Sequence, residues 1–485
     1  MDVIKGLLVD SDMNSNKKLL ESFFADCPDI IIKDFNLKDD SKILYVYADG
    51  LVDTELLFKT MYDNLLQLKH IDFKDNPNPV YNTKKFNDME TVISDVLSGN
   101  VVFFPEGLNW AYSLPITHTE KRNIMEPEVE KNLKGAHDGF IESLAVNMAL
   151  LRQKIKNTSL KFKTCQVGSV THQKLSIAYM EGIADTQLLN ELYSRVSNVN
   201  FDAFIGIGYV QQQISDFKYS IFPQMLTTER PDKAVASLME GRFVILLDGT
   251  PVALIAPVNI FSFFQAPDDY NTSWILGSFT RTVRYLAAFL AVMLPPSYIA
   301  LTSFHYFMIP LSLLVPFAES RSRVPFTPVV EALIMEIVIE FIRESAIRLP
   351  SYIGITIGVT GGIILGQATV QAGIVSNIFL IVIGITALAS YVTPSHDMVI
   401  AIRFLRIPFM LFSSLFGIIG IVFCSTMTFA RLLTLESLGQ PYLQPLTPFK
   451  FNDLKDAVIR APFTFLTKLP DNAKPIKKFR GESNE

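Results

Sequence analysis

The chain has 485 residues, too many for one simple domain, and 43 basic against 48 acidic residues leave a net charge of −5. That balance lacks the basic face of a nucleic-acid binder. Three distant cysteines (Cys27, Cys165, Cys424) and six single histidines offer no disulfide framework, metal site or cofactor site, and a reducing compartment fits them best.

The opening stretch MDVIKGLLVDSDMNSNKKLL lacks the long apolar core of a signal peptide, so the N-terminal part is expected in the cytosol. From about residue 12 to 280, helix and strand signals alternate. Ile43 to Ala48 reads as a strand and Thr54 to Leu68 as a helix. Val101 to Pro105 and Ala111 to Leu114 read as short strands, and Pro127 to Lys156 as a long helical stretch broken near Gly135 and Gly139. Leu160 to Val167 and Leu175 to Met180 alternate like a strand pair, and Thr186 to Val196 has a helical period. Phe243 to Leu247 and Val252 to Ala256 flank Asp248-Gly249, a hairpin signal. No internal repeat is read here, and a boundary near Lys156 to Leu160 divides the region into two α/β subdomains.

The second half is different. Residues 285–318, 349–395 and 407–430 carry no Asp, Glu, Lys or Arg over 34, 47 and 24 positions. A bilayer core needs about 20 helical residues. The longest stretch therefore holds about two spans with a turn near Gln371 to Asn377, and the 24-residue stretch one. The first, interrupted by Pro295-Pro296, is a broken helix or a tight hairpin. Basic residues flank both ends of this half, which puts both ends in the cytoplasm. Arg281 and Arg284 read as interfacial anchors.

Between the apolar stretches, Pro328 to Pro350 reads as an amphipathic helix with Glu336, Glu340 and Glu344 on one stripe. That stripe is either a solvated interfacial face or an acidic wall that concentrates cations. On the next helix, Gly354, Gly358, Gly362 and Gly366 form a small-residue packing ladder. The opposite face carries Thr356, Thr360, Ile364, Gln367 and Gln371. Those side chains either bond to neighbouring helices or line a narrow polar path. No P-loop and no nucleophile elbow occurs, and Thr228 to Asp232 reads as a loop with Pro231 opening a helix. No catalytic set emerges.

A series of segments then carries a family resemblance. They include Glu126-Pro127, GAHDGFIESLAVNMALLRQKIKN (135–157), IAYMEGIAD (177–185), FPQ (222–224), TERPD (228–232), EGR (240–242), DGTP (248–251) and DDY (268–270). The membrane half adds residues 284–305, 324–350 and 366–377, and PYLQPLTPF (441–449) closes the series. In order and spacing the chain resembles the A subunits of GerA-type spore germinant receptors over nearly its whole length. It departs at Leu133 to Asp138, where the family carries a more basic pattern.

The resemblance implies a subunit of the spore inner membrane that works with a transporter-like B subunit and a lipoprotein C subunit. It also implies a homo-oligomer, a pentamer, that releases monovalent cations when nutrient is sensed. The expected architecture is an α/β cytosolic N-terminal region of two subdomains (1–158 and 159–280), then an all-α polytopic membrane domain (281–432) and a cytosolic tail (433–485). Two rivals stand beside the receptor reading: a family member that amplifies ion release downstream, and a secondary transporter, which would favour inverted repeats.

Overall fold

The computed structural model describes residues 6–36, 42–60, 83–116, 127, 130–131, 134–348, 362 and 366–481. Strands β1 (Ile30–Asn36), β2 (Lys42–Ala48), β3 (Lys84–Phe86), β4 (Val101–Pro105) and β5 (Ala111–Leu114) form one antiparallel sheet of order β1-β2-β4-β5-β3. Strands β6 (Leu160–Val167), β7 (Gln173–Met180), β8 (Leu226–Thr228), β9 (Phe243–Leu247) and β10 (Ala253–Ala256) form a second, of order β6-β7-β9-β10-β8. The expected strands are all present. Period-2 alternation sorts their side chains: Leu44, Val46 and Ala48 enter one core of the first unit, and Ile43, Tyr45 and Tyr47 the other.

The two sheets have the same topology, and the helices follow suit. Helices α1 (Met13–Phe23), α2 (Thr54–Thr60) and α3 (Met89–Leu97) of the first unit correspond to α4 (Leu144–Lys154), α5 (Thr186–Ser197) and α7 (Pro231–Met239) of the second, which adds α6 (Ile207–Ile214). The absence of a repeat, as read from the sequence, is therefore corrected. The repeat leaves a trace in the residues: Asp49-Gly50-Leu51-Val52-Asp53-Thr54-Glu55-Leu56-Leu57 matches Glu181-Gly182-Ile183-Ala184-Asp185-Thr186-Gln187-Leu188-Leu189. Each copy turns at a left-handed glycine (φ 77° at Gly50, 78° at Gly182) and caps its helix with the aspartate, Asp53 to the Leu56 N–H and Asp185 to the Gln187 N–H. Elsewhere hydrophobic substitution at equal pattern hides the relation.

The expected boundary also moves. Helix α4 packs on the second sheet, with Leu144, Met148 and Leu151 in that unit's core, so the seam falls before Phe140 rather than near residue 158. Residues 134–143 are not helical, because Asn147 and Asp248 take up the N–H groups of Ile141 and Leu144 in a loop. Helix α2 is described to Thr60; the rest of the helix expected to Leu68 lies outside the described residues.

Beyond a short helix, α8 (Asp268–Asn271), comes the apolar helical region: α9 (Trp274–Ser303), α10 (Leu311–Arg321), α11 (Pro328–Arg348), α12 (Asn377–Tyr391), α13 (His396–Phe416) and α14 (Ile418–Thr434). Helices α9 and α13 are long and apolar enough to cross a membrane, by length and composition. Both keep large outward apolar side chains, among them Phe279, Leu286 and Phe289 on α9 and Phe404, Leu411 and Leu415 on α13. Helix α9 runs through Pro295-Pro296 and the break comes later, between Phe304 and Pro310. The charge-free stretch 407–430 is not one helix. It splits at Gly417, whose backbone (φ 60°, ψ −135°) suits only glycine, and α14 folds back so closely that a side chain at Gly420 would strike the Phe412 carbonyl. The C-terminal segment returns to the second unit, where Tyr442 is fully buried and donates to the Pro223 carbonyl at 2.7 Å.

Candidate functional site in the apolar helices

Helix α11 packs against α9, α12 and α13, and Glu336 and Glu340 of its charged stripe reach α13. Glu336 accepts from Arg406 of α13 with both oxygens at 2.8 Å. Glu340 takes Arg403 of α13 at 2.7 Å and Arg343 at 3.1 Å, and Glu344 takes Arg348 at 2.6 Å. The structure thus brings the three acidic candidates together but gives each a guanidinium. Glu336 is largely buried, whereas Glu340 and Glu344 keep about half their side-chain surface exposed.

Arg406 is fully buried, and its Nε donates to the Ala291 carbonyl at 2.7 Å. That carbonyl is the one a residue at position 295 would normally bond, and Pro295 has no N–H to give. Arg406 therefore satisfies the group freed by the proline and lets α9 pass through its Pro-Pro step, while Glu336 neutralises the charge. Arg343 extends the link to α12 through the Tyr391 hydroxyl at 2.9 Å.

A carboxylate missed in the sequence lies one turn earlier. Glu331 is completely buried and accepts the Ser376 N–H at 2.6 Å; Ser376 caps α12 and shares a hydrogen bond with the Tyr298 hydroxyl of α9. Its signal was its position, about 140° around the helix from Glu336 and so off the charged stripe.

The polar-path candidates Thr356, Thr360 and Ile364, with Gly354 and Gly358 of the ladder, lie outside the described residues. Of the others, Gly366 is buried with Leu380 of α12 beside it, whereas Gly362 faces open space. Gln367 and Gln371 are exposed, and the chain turns after Gln371 into the Ser376 cap.

At the foot of α9, Arg281 and Arg284 are not anchors in a lipid interface. Arg281 is fully buried between Asp269 and Asp456, and it also donates to the Asp456 carbonyl; Arg284 holds Asp269 at 2.7 Å. These pairs clamp α8, α9 and α15 (Phe451–Ala457) together. Burial pushes the Asp456 carboxyl above the usual range, against the pull of Arg281, and burial likewise raises the Tyr270 hydroxyl that donates to it. The TERPD segment opens α7 with Pro231 at its first position, as expected, but Arg230 does more. It is buried, binds Asp232 at 2.7 Å and donates to the Glu130 and Ala136 carbonyls, tying down the segment before α4.

The Bacillus/Clostridium GerA spore germination protein family matches residues 18–472. Spore germination protein KA of Bacillus subtilis (strain 168) is 36% identical over 93% of this chain and 85% of its own length. Spore germination protein GerQA of Bacillus cereus is 36% identical over 92% of this chain and 90% of its own. Spore germination protein B1 of Bacillus subtilis (strain 168) is 36% identical over 97% and 99%. Among solved structures, the N-terminal domain of the A subunit of the Bacillus megaterium spore germinant receptor GerK3 is 26% identical, over 52% of this chain and 96% of that one, with a TM-score of 0.40. The chain belongs to the GerA family of spore germination proteins.

Proposed function

We propose that this chain is the A subunit of a nutrient germinant receptor, a non-enzymatic multi-pass protein of the spore inner membrane. In this reading it assembles as a homo-oligomer, a pentamer, with a transporter-like B subunit and a lipoprotein C subunit, and opens a path for monovalent cations. Thr356, Thr360, Gln367 and Gln371 line that path, with Ile364 as its apolar constriction. Glu340 and Glu344 attract cations at its mouth, while Glu336 holds Arg406.

The observation that carries this reading is the split at the described end of the glycine helix. Gly366 is packed against α12 while the neighbouring Gln367 and Gln371 are exposed, in a region whose other outward residues are mostly Phe, Leu and Ile. Amides left uncovered on such a helix find partners in a water-filled path between subunits.

Planar-bilayer recording of the full chain with its B and C subunits tests it. A nutrient-dependent K⁺ current is expected, altered by Ile364→Ala and reduced by Gln371→Leu. A well-inserted oligomer that stays silent with nutrient and both partners would refute the channel.

A further inference from the structure

Outside the apolar helices, a cavity of about 540 Å³ lies between α7, residues 265–271 and the C-terminal residues 463–481. Its size is that of a small-molecule site. Arg242 and Arg480 share a single carboxylate there, Glu240, at 3.2 and 2.9 Å, and Lys477 adds an ammonium to the wall. Arg242 is only 6% exposed, and its Nε has no hydrogen-bond partner. The acidic groups at the inner end are already engaged, Asp232 by Arg230 and Asp456 by Arg281. Counted over the whole lining, four basic groups (Lys233, Arg242, Lys477, Arg480) stand against three acidic ones (Asp232, Glu240, Asp456), an excess of one positive charge. The lining also includes Met239, Phe463 and Phe479, large apolar side chains left 43, 62 and 49% exposed.

The twin unit lends an independent argument. At the positions of Lys233, Glu240 and Arg242 the first unit has Thr91, Ser98 and Asn100. There Ser98 and Asn100 serve local bonds, to the Ser94 carbonyl and to Asp95. The shared fold does not need a guanidinium at this turn.

We propose that this cavity is a binding site for a small amphipathic organic anion, its carboxylate or phosphate held by Arg242 and Arg480 and its apolar body lying on Phe463 and Phe479. Arg242 Nε supplies the unused donor, and a charged acceptor makes the strongest use of it. Because Tyr270 and Asp456 line the inner end and grip the foot of α9 through Arg281, an occupied cavity ties the C-terminal segment to that helix.

Fluorine NMR of trifluoromethylbenzoate with the full chain in phosphatidylcholine nanodiscs tests the site, with the uncharged trifluoromethylbenzamide beside it. The carboxylate signal should broaden and the amide signal should not. Arg480→Gln, at a half-exposed position that folding tolerates, should weaken binding about tenfold. Ala236→Trp, which fills the cavity and leaves every charge in place, should abolish it. Equal broadening of acid and amide, or no change in either variant, would overturn the proposal. Discs containing phosphatidylglycerol separate the sources: displacement of the probe identifies a lipid headgroup, and undiminished binding identifies a soluble anion.

Discussion

The two α/β units share strand order, helix positions and a capping motif, yet they use charge differently. Among the described residues, the first unit buries one ionic side chain, Asp29, whose partner Arg152 belongs to the second unit. The second unit buries Arg152, Lys161, Arg230 and Arg242, and each reaches outward. Arg152 grips Asp29 with two hydrogen bonds, at 2.8 and 2.9 Å, and Lys161 donates to the Phe23 and Ala25 carbonyls of the first unit. Arg230 holds the segment before α4, and Arg242 shares Glu240 with the C-terminal segment. One copy of the fold stays close to its self-contained form, while the other has become the hub to which everything else is fastened. The hub also shares its core with the apolar helices: Leu226 and Phe263 sit in one cluster with Ala291, Ile402 and Phe409.

The seam between the copies should give the largest effect. Arg152→Ala strands Asp29 as a buried, unpaired carboxylate, and breaking such a pair costs about 3–5 kcal/mol. A lower urea midpoint of the full chain, followed through Trp110 fluorescence in the first unit, is expected. An unchanged midpoint would mean that the units do not depend on this pair.

Next comes a matched pair of helix starts. Asp88 caps α3 by accepting the Thr91 N–H at 2.9 Å, and Arg230 stands at the same place before α7. Asp88→Ala should cost about 1 kcal/mol, as loss of a cap does. Arg230→Ala removes a buried clamp on two carbonyls and a carboxylate and should cost about 3 kcal/mol. Hydrogen exchange should report the difference locally, with residues 134–140 losing protection in the Arg230 variant alone. Equal effects in both would erase the distinction between hub and copy.

The glycines Gly50 and Gly182 sharpen the comparison further, since their backbones are nearly identical. A side chain at either meets the left-handed penalty of about 1–2 kcal/mol. At Gly182 nothing else lies within 4 Å, whereas at Gly50 the added carbon would sit 3.0 Å from the Ala149 Cβ and 3.1 Å from the Ala145 carbonyl of α4. Gly50→Ala should therefore destabilise more than Gly182→Ala in thermal melts, because it also pries at the seam.

How far all this could be read in advance depended on the range of the cause. Strands such as 101–105 and 243–247 and the helix start at Pro231 are written in neighbouring residues, through period and turn chemistry. The same holds for the turn after Gln371, where the cap residue follows within a few positions. The repeat was hidden because a core position accepts Tyr45 in one copy and Ile177 in the other, and only the turn-and-cap motif resists such exchange. The pairing of the acidic stripe was invisible for another reason. Arg403 and Arg406 are separated from Glu336 and Glu340 by two apolar segments, and no local pattern says that α13 folds back on α11. Glu331 and Arg281 show the same limit: their charge was plain, but their burial is a property of helices that meet in space.

The smallest effect is chemical, and it probes the core of the second unit itself. Cys165 lies on β6 and packs against the second unit's own core, where α5 brings Ser197 to it. Burial pushes its thiol from 9.0 up to about 11, a hydrogen bond from Ser197 pulling only part of the way back. The folded chain then holds this proton longer than the unfolded chain, so the contribution of Cys165 to stability falls as pH rises from 9 towards 11. Only the thiolate reacts, so in a Cys27→Ser/Cys424→Ser background the rate of disulfide-exchange labelling should climb about tenfold per pH unit past pH 9, where an ordinary thiol levels off. Adding Ser197→Ala removes that pull and should move the rise to still higher pH. A plateau near pH 9 before that change would mean that Cys165 is already open to water and that the core beneath α5 is not closed around it.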